Sequence, residues 1–179
     1  MSEYALASGD RTYAEKALDL FKRILRNLAT PGLLEPKYLP TLQARGHSIT
    51  MILINTASRI RAAISDPILD TQINESIAAI RRYFMHPEFK ALLEMVGLDG
   101  ELIDTCNGRV INPGHCIETA WFILEEAKHR HWDKDLVQMG IRILEWSWEW
   151  GWDKEYGGII NFRDCRNFPV QDYSQDMKF

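Results

Sequence analysis

Three cysteines, Cys106, Cys116 and Cys165, are odd in number and contain no C-x-x-C pair, which argues against a disulfide framework or a thiolate zinc site. Positive charge is not in surplus either. The 21 Lys and Arg residues stand against 25 Asp and Glu, a net charge of −4, so the basic footprint that phosphate backbones require is missing and nucleic acid is not an expected partner. Long apolar runs are absent too. The longest uncharged stretch in the middle of the chain, Gly46 to Ser58, is too short to span a bilayer and reads as a buried core helix, so no membrane anchor is expected. The amino terminus, MSEYALASGDR, lacks the basic start and apolar stretch of a secretory signal, and a reducing cytoplasm fits best. Finally, H-E-x-x-H, G-x-x-x-x-G-K-[ST] and G-x-S-x-G do not occur. Zinc peptidase, nucleotide hydrolase and α/β-hydrolase chemistries therefore lack their signatures, and neither metal nor cofactor is expected.

What is present fits one folded domain over residues 1–179. Hydrophobic residues make up 46% and charged residues 26%, close to the averages of globular proteins. Six tryptophans stand out, four of them crowded into Trp146, Trp148, Trp150 and Trp152, with another at Trp121. Such density serves an ordinary aromatic core, or lines a sugar-binding cavity where ring faces meet the C–H faces of pyranoses; spacing alone favours the core.

Periodicity predicts helices almost throughout. Thr12-x-x-Glu15 has the form of a capping box, followed by Ala14, Ala17, Leu18, Phe21, Ile24, Leu25 and Leu28 at helical spacing, with a stop before Pro31-Gly32. The connector Thr30 to Gly46, with Pro31, Pro36 and Pro40, is a long loop of the kind that tends to carry function. A second helix is expected from about Ser48 to Ser65, apolar on nearly every side at first, as if packed between others. A third follows Asp66-Pro67 and ends near His86-Pro87. Asp99-Gly100 between short apolar runs signals a hairpin. Asn112-Pro113 reads as a cap followed by proline at the first helical position, opening a helix to about Lys128, and another runs from Asp135 to about Trp148. Tyr156-Gly157-Gly158 then turns the chain into a strand-like IINF. Strand and helix do not alternate, so the class is all-α with decorated loops. An α/α toroid suits the recurring helix pairs, but periodicity does not separate it from a bundle.

Chemistry points first to His115 and Glu118, three apart on the opening turns of the Asn112-Pro113 helix. A carboxylate beside an imidazole fixes its tautomer and supports a general base. The same spacing also suits a cap and a surface contact. The helix N-terminus favours the neutral ring or an anionic ligand. His47, at the start of a buried helix, is a cap-region residue or lines a cavity. His86 before proline reads as structural, and His129 and His131 flank Arg130 at a helix end, where cations complement the dipole.

The stretch GRVINPGHCIETAWFILEEA, Gly108 to Ala127, resembles the N-acylglucosamine 2-epimerase family, which includes the animal renin-binding proteins. EYALASGD, ATPGLLEPKYLP, TMILIN, GLDGELID and WDKEYGGIINFRD agree with it in order and spacing, so the similarity runs over nearly the whole chain. The resemblance implies an (α/α)6 barrel of which this chain would form about half. It also implies interconversion of N-acetylglucosamine and N-acetylmannosamine, by removing the C2 proton of the opened sugar and returning it to the other face. Carried over, the histidine of NPGH is His115 and its acidic companion Glu118, with Arg109, Asn112 and Trp121 as neighbours of the substrate.

By the same resemblance, a second catalytic histidine and a further carboxylate would follow residue 179, and an arginine would precede residue 1. The expectation is therefore a central fragment, impaired in epimerisation, that takes an N-acylated hexosamine and, with helix faces left uncovered, self-associates as a homo-oligomer such as a dimer. The alternative is a non-catalytic helical module binding a sugar or a protein. A helical glycosidase would need two carboxylates, and only Glu118 could be nominated.

Overall fold

A computed structural model of the chain describes residues 1–35 and 41–170. The middle of the proline-rich connector, with Pro36 and Pro40, and the end of ATPGLLEPKYLP lie outside the described residues.

Helices dominate. They are α1 (Ser2–Ser8), α2 (Arg11–Ala29), α3 (His47–Ala63), α4 (Pro67–Ala79), α5 (Pro113–His129) and α6 (Lys134–Gly151). Each strand has two residues: β1 (Arg45–Gly46), β2 (Met85–His86), β3 (Ala91–Leu92), β4 (Met95–Val96), β5 (Val110–Ile111) and β6 (Arg163–Asp164). They pair antiparallel as β1 with β4, β2 with β3 and β5 with β6. The all-α class read from the sequence is the class observed. The chain divides into two compact units, Met1–Gln43 with Ile52–Ser76, and Ala44–Met51 with Ile77–Phe179.

In the first unit, α2 opens two residues earlier than the capping-box pattern predicts. Asp10 is its cap: the carboxylate accepts from the Thr12 amide at 3.0 Å and from the Thr12 hydroxyl at 2.7 Å, so Thr12 supports the cap instead of forming it. Ala14, Ala17, Leu18 and Phe21 are buried at i, i+3, i+4 and i+7 as periodicity required. The apolar series does not stay buried to its end. Ile24 and Leu28 are about 40% exposed and, with Leu20, form a stripe along α2. Ile49 and Ile52 of α3 are exposed as well, so that helix is not covered on every side as expected. Lys22 meets Asp66 at 2.7 Å, just before Pro67 opens α4.

The second unit holds the candidate site residues His115 and Glu118. After Ala79 the helical path widens into a π-helical turn, Ile80–Phe84, which ends in β2. The hairpin expected at Asp99-Gly100 is a turn only: the Gly97 amide donates to Glu101 O, Gly100 adopts φ +92°, and residues 101–104 form no strand. β4 pairs with β1 instead, Gly46 opposite Met95, because its two buried residues belong to the core and not to an exposed ribbon. Likewise, IINF forms one bridge, Ile159 to Trp152, and the strand comes later at Arg163.

α5 and α6 form a helical hairpin joined by Arg130–Asp133. Trp132 and Asp133 amides both donate to Ala127 O, and Asp133 caps α6 through the Asp135 and Leu136 amides. Two glycines let the helices approach. A Cβ on Gly140 would stand 2.7 Å from Leu124 Cγ, and one on Gly151 would stand 2.5 Å from Pro113 Cβ, so the end of α6 rests against the start of α5.

The tryptophans are not an aromatic core. Trp121, Trp132, Trp148 and Trp152 are between 39% and 62% exposed. Trp148 and Trp152, one helical turn apart, stack at 4.9 Å between centroids. Trp150 is half-buried and donates its indole proton to the carbonyls of Phe89 and Lys90.

Candidate functional site

Asn112 opens α5 as read from the sequence. Its extended backbone precedes Pro113, and its side-chain oxygen accepts from the His115 amide at 3.1 Å, which fixes the first turn and the point where the His115 side chain leaves it. The carboxylate beside His115 comes from elsewhere. Glu94, in the two-residue link between β3 and β4, places Oε1 3.0 Å from His115 Nδ1. Glu118 lies on the exposed side of α5, where it shares a face with Trp121 at i, i+3.

Glu94 is also a backbone junction. Its amide donates to Val110 O at 3.2 Å, and its carbonyl accepts from the His47 amide at 3.0 Å. One residue thereby ties the start of α3 to the strand that leads into α5. The consequence is a second imidazole: His47, fully buried, brings Nδ1 to 3.5 Å from the same Glu94 Oε1. On its far side His47 Nε2 is 3.1 Å from Thr119 Oγ1, and Thr119 donates its hydroxyl to His115 O at 2.8 Å. His47 also stands against the Phe84 ring, 5.5 Å between centroids.

Burial alone would raise the Glu94 carboxyl, but hydrogen bonds from His115 and then His47, with their charges, more than offset it and hold the group down to about 2. Glu94 is an ionised acceptor shared by two rings. Cys116, one residue along α5, is buried with its thiol directed to Leu92 O; burial pushes that thiol well up, and the Glu94 charge adds to the effect. It is a packing residue and not a nucleophile.

Of the other residues nominated from sequence, Arg109 is engaged by two carboxylates. Nε donates to the buried Asp164 at 2.8 Å and Nη1 to Asp104 at 2.9 Å, and these bonds, Asp164 first, raise the guanidinium above its ordinary value. This pairing clamps β6 beside β5 at the entry to α5. Asn112 is buried and spends its oxygen on the cap. Trp121 is half exposed with its ring against Phe122. A separate open cleft of about 1060 Å³ is lined by Trp150, Trp152, Tyr156 and Arg163 among others, but not by His115. Among the described residues no group of three or more His, Cys, Asp and Glu is arranged to hold a metal ion, and no helix is long and apolar enough to cross a membrane.

His47 was legible as a residue opening a buried helix, but its carboxylate partner was not. Glu94 and Thr119 were missed. The available signal was a lone acid within LLEMV, since a carboxylate flanked on both sides by apolar residues is seldom buried without partners.

Residues 3–177 match the family model described as N-acylglucosamine 2-epimerase (GlcNAc 2-epimerase). The N-acylglucosamine 2-epimerase of Homo sapiens is 29% identical over 182 residues, covering 96% of this chain and 41% of the relative. That of Bos taurus is 28% identical over 170 residues, covering 92% and 40%. The chain thus spans about two-fifths of the curated relatives it matches. Among solved structures, a sugar epimerase from a ruminal bacterium superposes with a TM-score of 0.72 at 18% identity, over 94% of this chain and 46% of that one. A D-mannose isomerase superposes at 0.61 and 17% identity, over 76% and 36%. The fold is part of an (α/α)6 toroid.

Proposed function

The chain belongs to the N-acylglucosamine 2-epimerase family, and on that premise we propose that it carries one proton-transfer centre of a sugar 2-epimerase, with His115 as the base. The observation that carries this reading is His115 on the first turn of α5, with Nδ1 bound by the partly buried Glu94 carboxylate. A proton on Nδ1 donated to Glu94 makes Nε2 the nitrogen that exchanges a proton with substrate, and the carboxylate then stabilises the imidazolium that forms. The substrate is an N-acylated hexosamine, N-acetylglucosamine or N-acetylmannosamine, in its open form. There the aldehyde acidifies the adjacent C2–H. Glu118 and Trp121, on the exposed face of α5, and Arg109 and Asn112 at its entry, are the residues assigned to hold the sugar.

Among the described residues the centre presents one partly exposed imidazole, the second being fully buried. A two-base inversion needs an accessible base on each face of C2, so this chain alone is proposed to be impaired as an epimerase while able to exchange the C2 proton. It works as a single partial barrel domain in the cytoplasm, and the apolar stripe of α2 supports self-association.

Incubating the chain with N-acetylmannosamine in heavy water and following C2 by NMR tests this. Deuterium entering with configuration largely retained, and lost in His115→Ala, is the expected result. Fast formation of deuterated N-acetylglucosamine would overturn the impairment, and sugar affinity without exchange would favour a non-catalytic binding module.

A further inference from the structure

β5 is two residues long, yet both Glu94 and His115 depend on where it lies. Its Val110 carbonyl accepts from the Glu94 amide at 3.2 Å, and its last residue, Ile111, runs directly into the Asn112 cap that fixes the departure of His115. The position of β5 therefore sets the separation of Glu94 Oε1 from His115 Nδ1. A pairing this short specifies its register weakly through the backbone, and a slip of one residue would reverse every side chain on it. Side chains must hold Val110 opposite Asp164 and Ile111 opposite Arg163.

Asp164 is placed to do so. It is 4% exposed and both of its oxygens are engaged, Oδ2 by Arg109 Nε at 2.8 Å and Oδ1 by the Arg166 amide at 2.8 Å. Beside them the Cys165 amide donates to Arg109 O at 2.9 Å. β6 is anchored in turn, because Arg163 Nε donates to Trp150 O at 3.1 Å near the end of α6, and Gly151 there lies against Pro113 of α5. The contacts form a closed circuit, from α6 to β6, through Asp164 to β5, into α5 and back to α6. A buried ion pair adds little stability over apolar residues of the same size, but directional guanidinium bonds fix one geometry. We infer that Asp164 is a positioning residue for the proton transfer, holding β5 through Arg109 in the register at which Glu94 reaches His115. Asp104, the other carboxylate on Arg109, is exposed and shared with Arg166, so it adds little to that register. The value of Asp164 to catalysis rests on the assignment of His115 as the base, whereas its effect on the Glu94–His115 bond does not.

The test first reads that bond by NMR in the ¹⁵N-labelled 179-residue chain without sugar. Glu94 is ionised near neutrality, so the proton of the bond belongs to His115 Nδ1, and its resonance is identified by its loss in His115→Gln. In Asp164→Asn, and in Arg109→Lys, which keeps the charge but not the fork, exchange of this proton with water should quicken about tenfold. The double variant should go no further than either single one, because the two side chains act as a unit. Asp104→Asn should leave the proton unchanged, and so should Ile73→Val, a trimmed core residue of the other compact unit that controls for lost stability. An unmoved His115 proton in folded Asp164→Asn and Arg109→Lys overturns the inference, as do additive effects or an equal change in Ile73→Val. With N-acetylmannosamine added, C2 exchange in Asp164→Asn should fall between about tenfold and a hundredfold, the scale of a small misplacement of a reacting group, and a rate equal to that of the parent chain also overturns it. Absence of C2 exchange in the parent chain, with the His115 proton responding as expected, would sink the epimerase reading and leave the hold of Asp164 on the Glu94–His115 bond standing.

Discussion

Glu94 decides how the site behaves at the scale of single residues. Its carboxyl is held down to about 2 against an ordinary 4.5, so the folded state binds that proton less readily than the unfolded chain. The stability this adds is complete above about pH 4.5 and is lost as pH falls towards 2, and the shift corresponds to roughly 3 kcal/mol. Glu94→Gln should therefore lower stability near neutrality by about 2–3 kcal/mol and flatten the acid limb of the stability profile, measured by urea unfolding between about pH 2 and 7. An acid limb as steep as that of the parent chain would contradict the assigned ion pairing. The thiols give a second residue-scale prediction. Burial pushes Cys116 well up and Cys165 up to about 11, with the Asp164 charge adding to the latter, whereas Cys106 is half-buried. A thiol reagent at about pH 7 should label Cys106 first, and mass spectrometry of the labelled peptides would expose any faster reaction at Cys116.

At the scale of elements, the start of α5 depends on its cap and on the end of α6. Asn112→Ala removes the acceptor for the His115 amide and should cost about 1 kcal/mol, largely restored by Asn112→Ser, in thermal or urea unfolding. If Ala and Ser variants are equally stable, the cap contributes nothing. Gly151→Ala places a Cβ 2.5 Å from Pro113 Cβ, and neither a ring nor a helix backbone yields easily there. It should destabilise by about 1–3 kcal/mol and shift the His115 resonances, because Pro113 lies two residues before His115. A Gly151→Ala chain with unchanged His115 signals would separate packing from site geometry.

For the whole molecule, the question is what covers apolar surface that a folded chain seldom leaves in water. Leu20, Ile24 and Leu28 expose 44%, 39% and 40% of their surface along α2, and Ile49 and Ile52 of α3 each expose 46%. Stripes of this kind mark contact surfaces. Sedimentation should find the chain associated at micromolar concentration and Ile24→Lys shifted towards monomer. A monomer that binds no hydrophobic dye would count against the association.

Much of this protein was legible one segment at a time. Asn112-Pro113 opens a helix because proline suits the first turn and asparagine the cap, and NPGH with its flanking residues marked the family and nominated His115. Helix class and most boundaries followed from local periodicity, which the chain carries in itself. The partner of His115 did not, because Glu94 is 21 residues away and helical spacing pointed to the nearer Glu118. Nor did the pairing of β4 with β1, the exposure of the tryptophans, or the sharing of one carboxylate by His47 and His115. Local sequence determines which way a chain curls and where it stops, since those energies act over a few residues. Only the tertiary structure decides which buried charges meet, because burying Glu94 is tolerable only where distant donors arrive together.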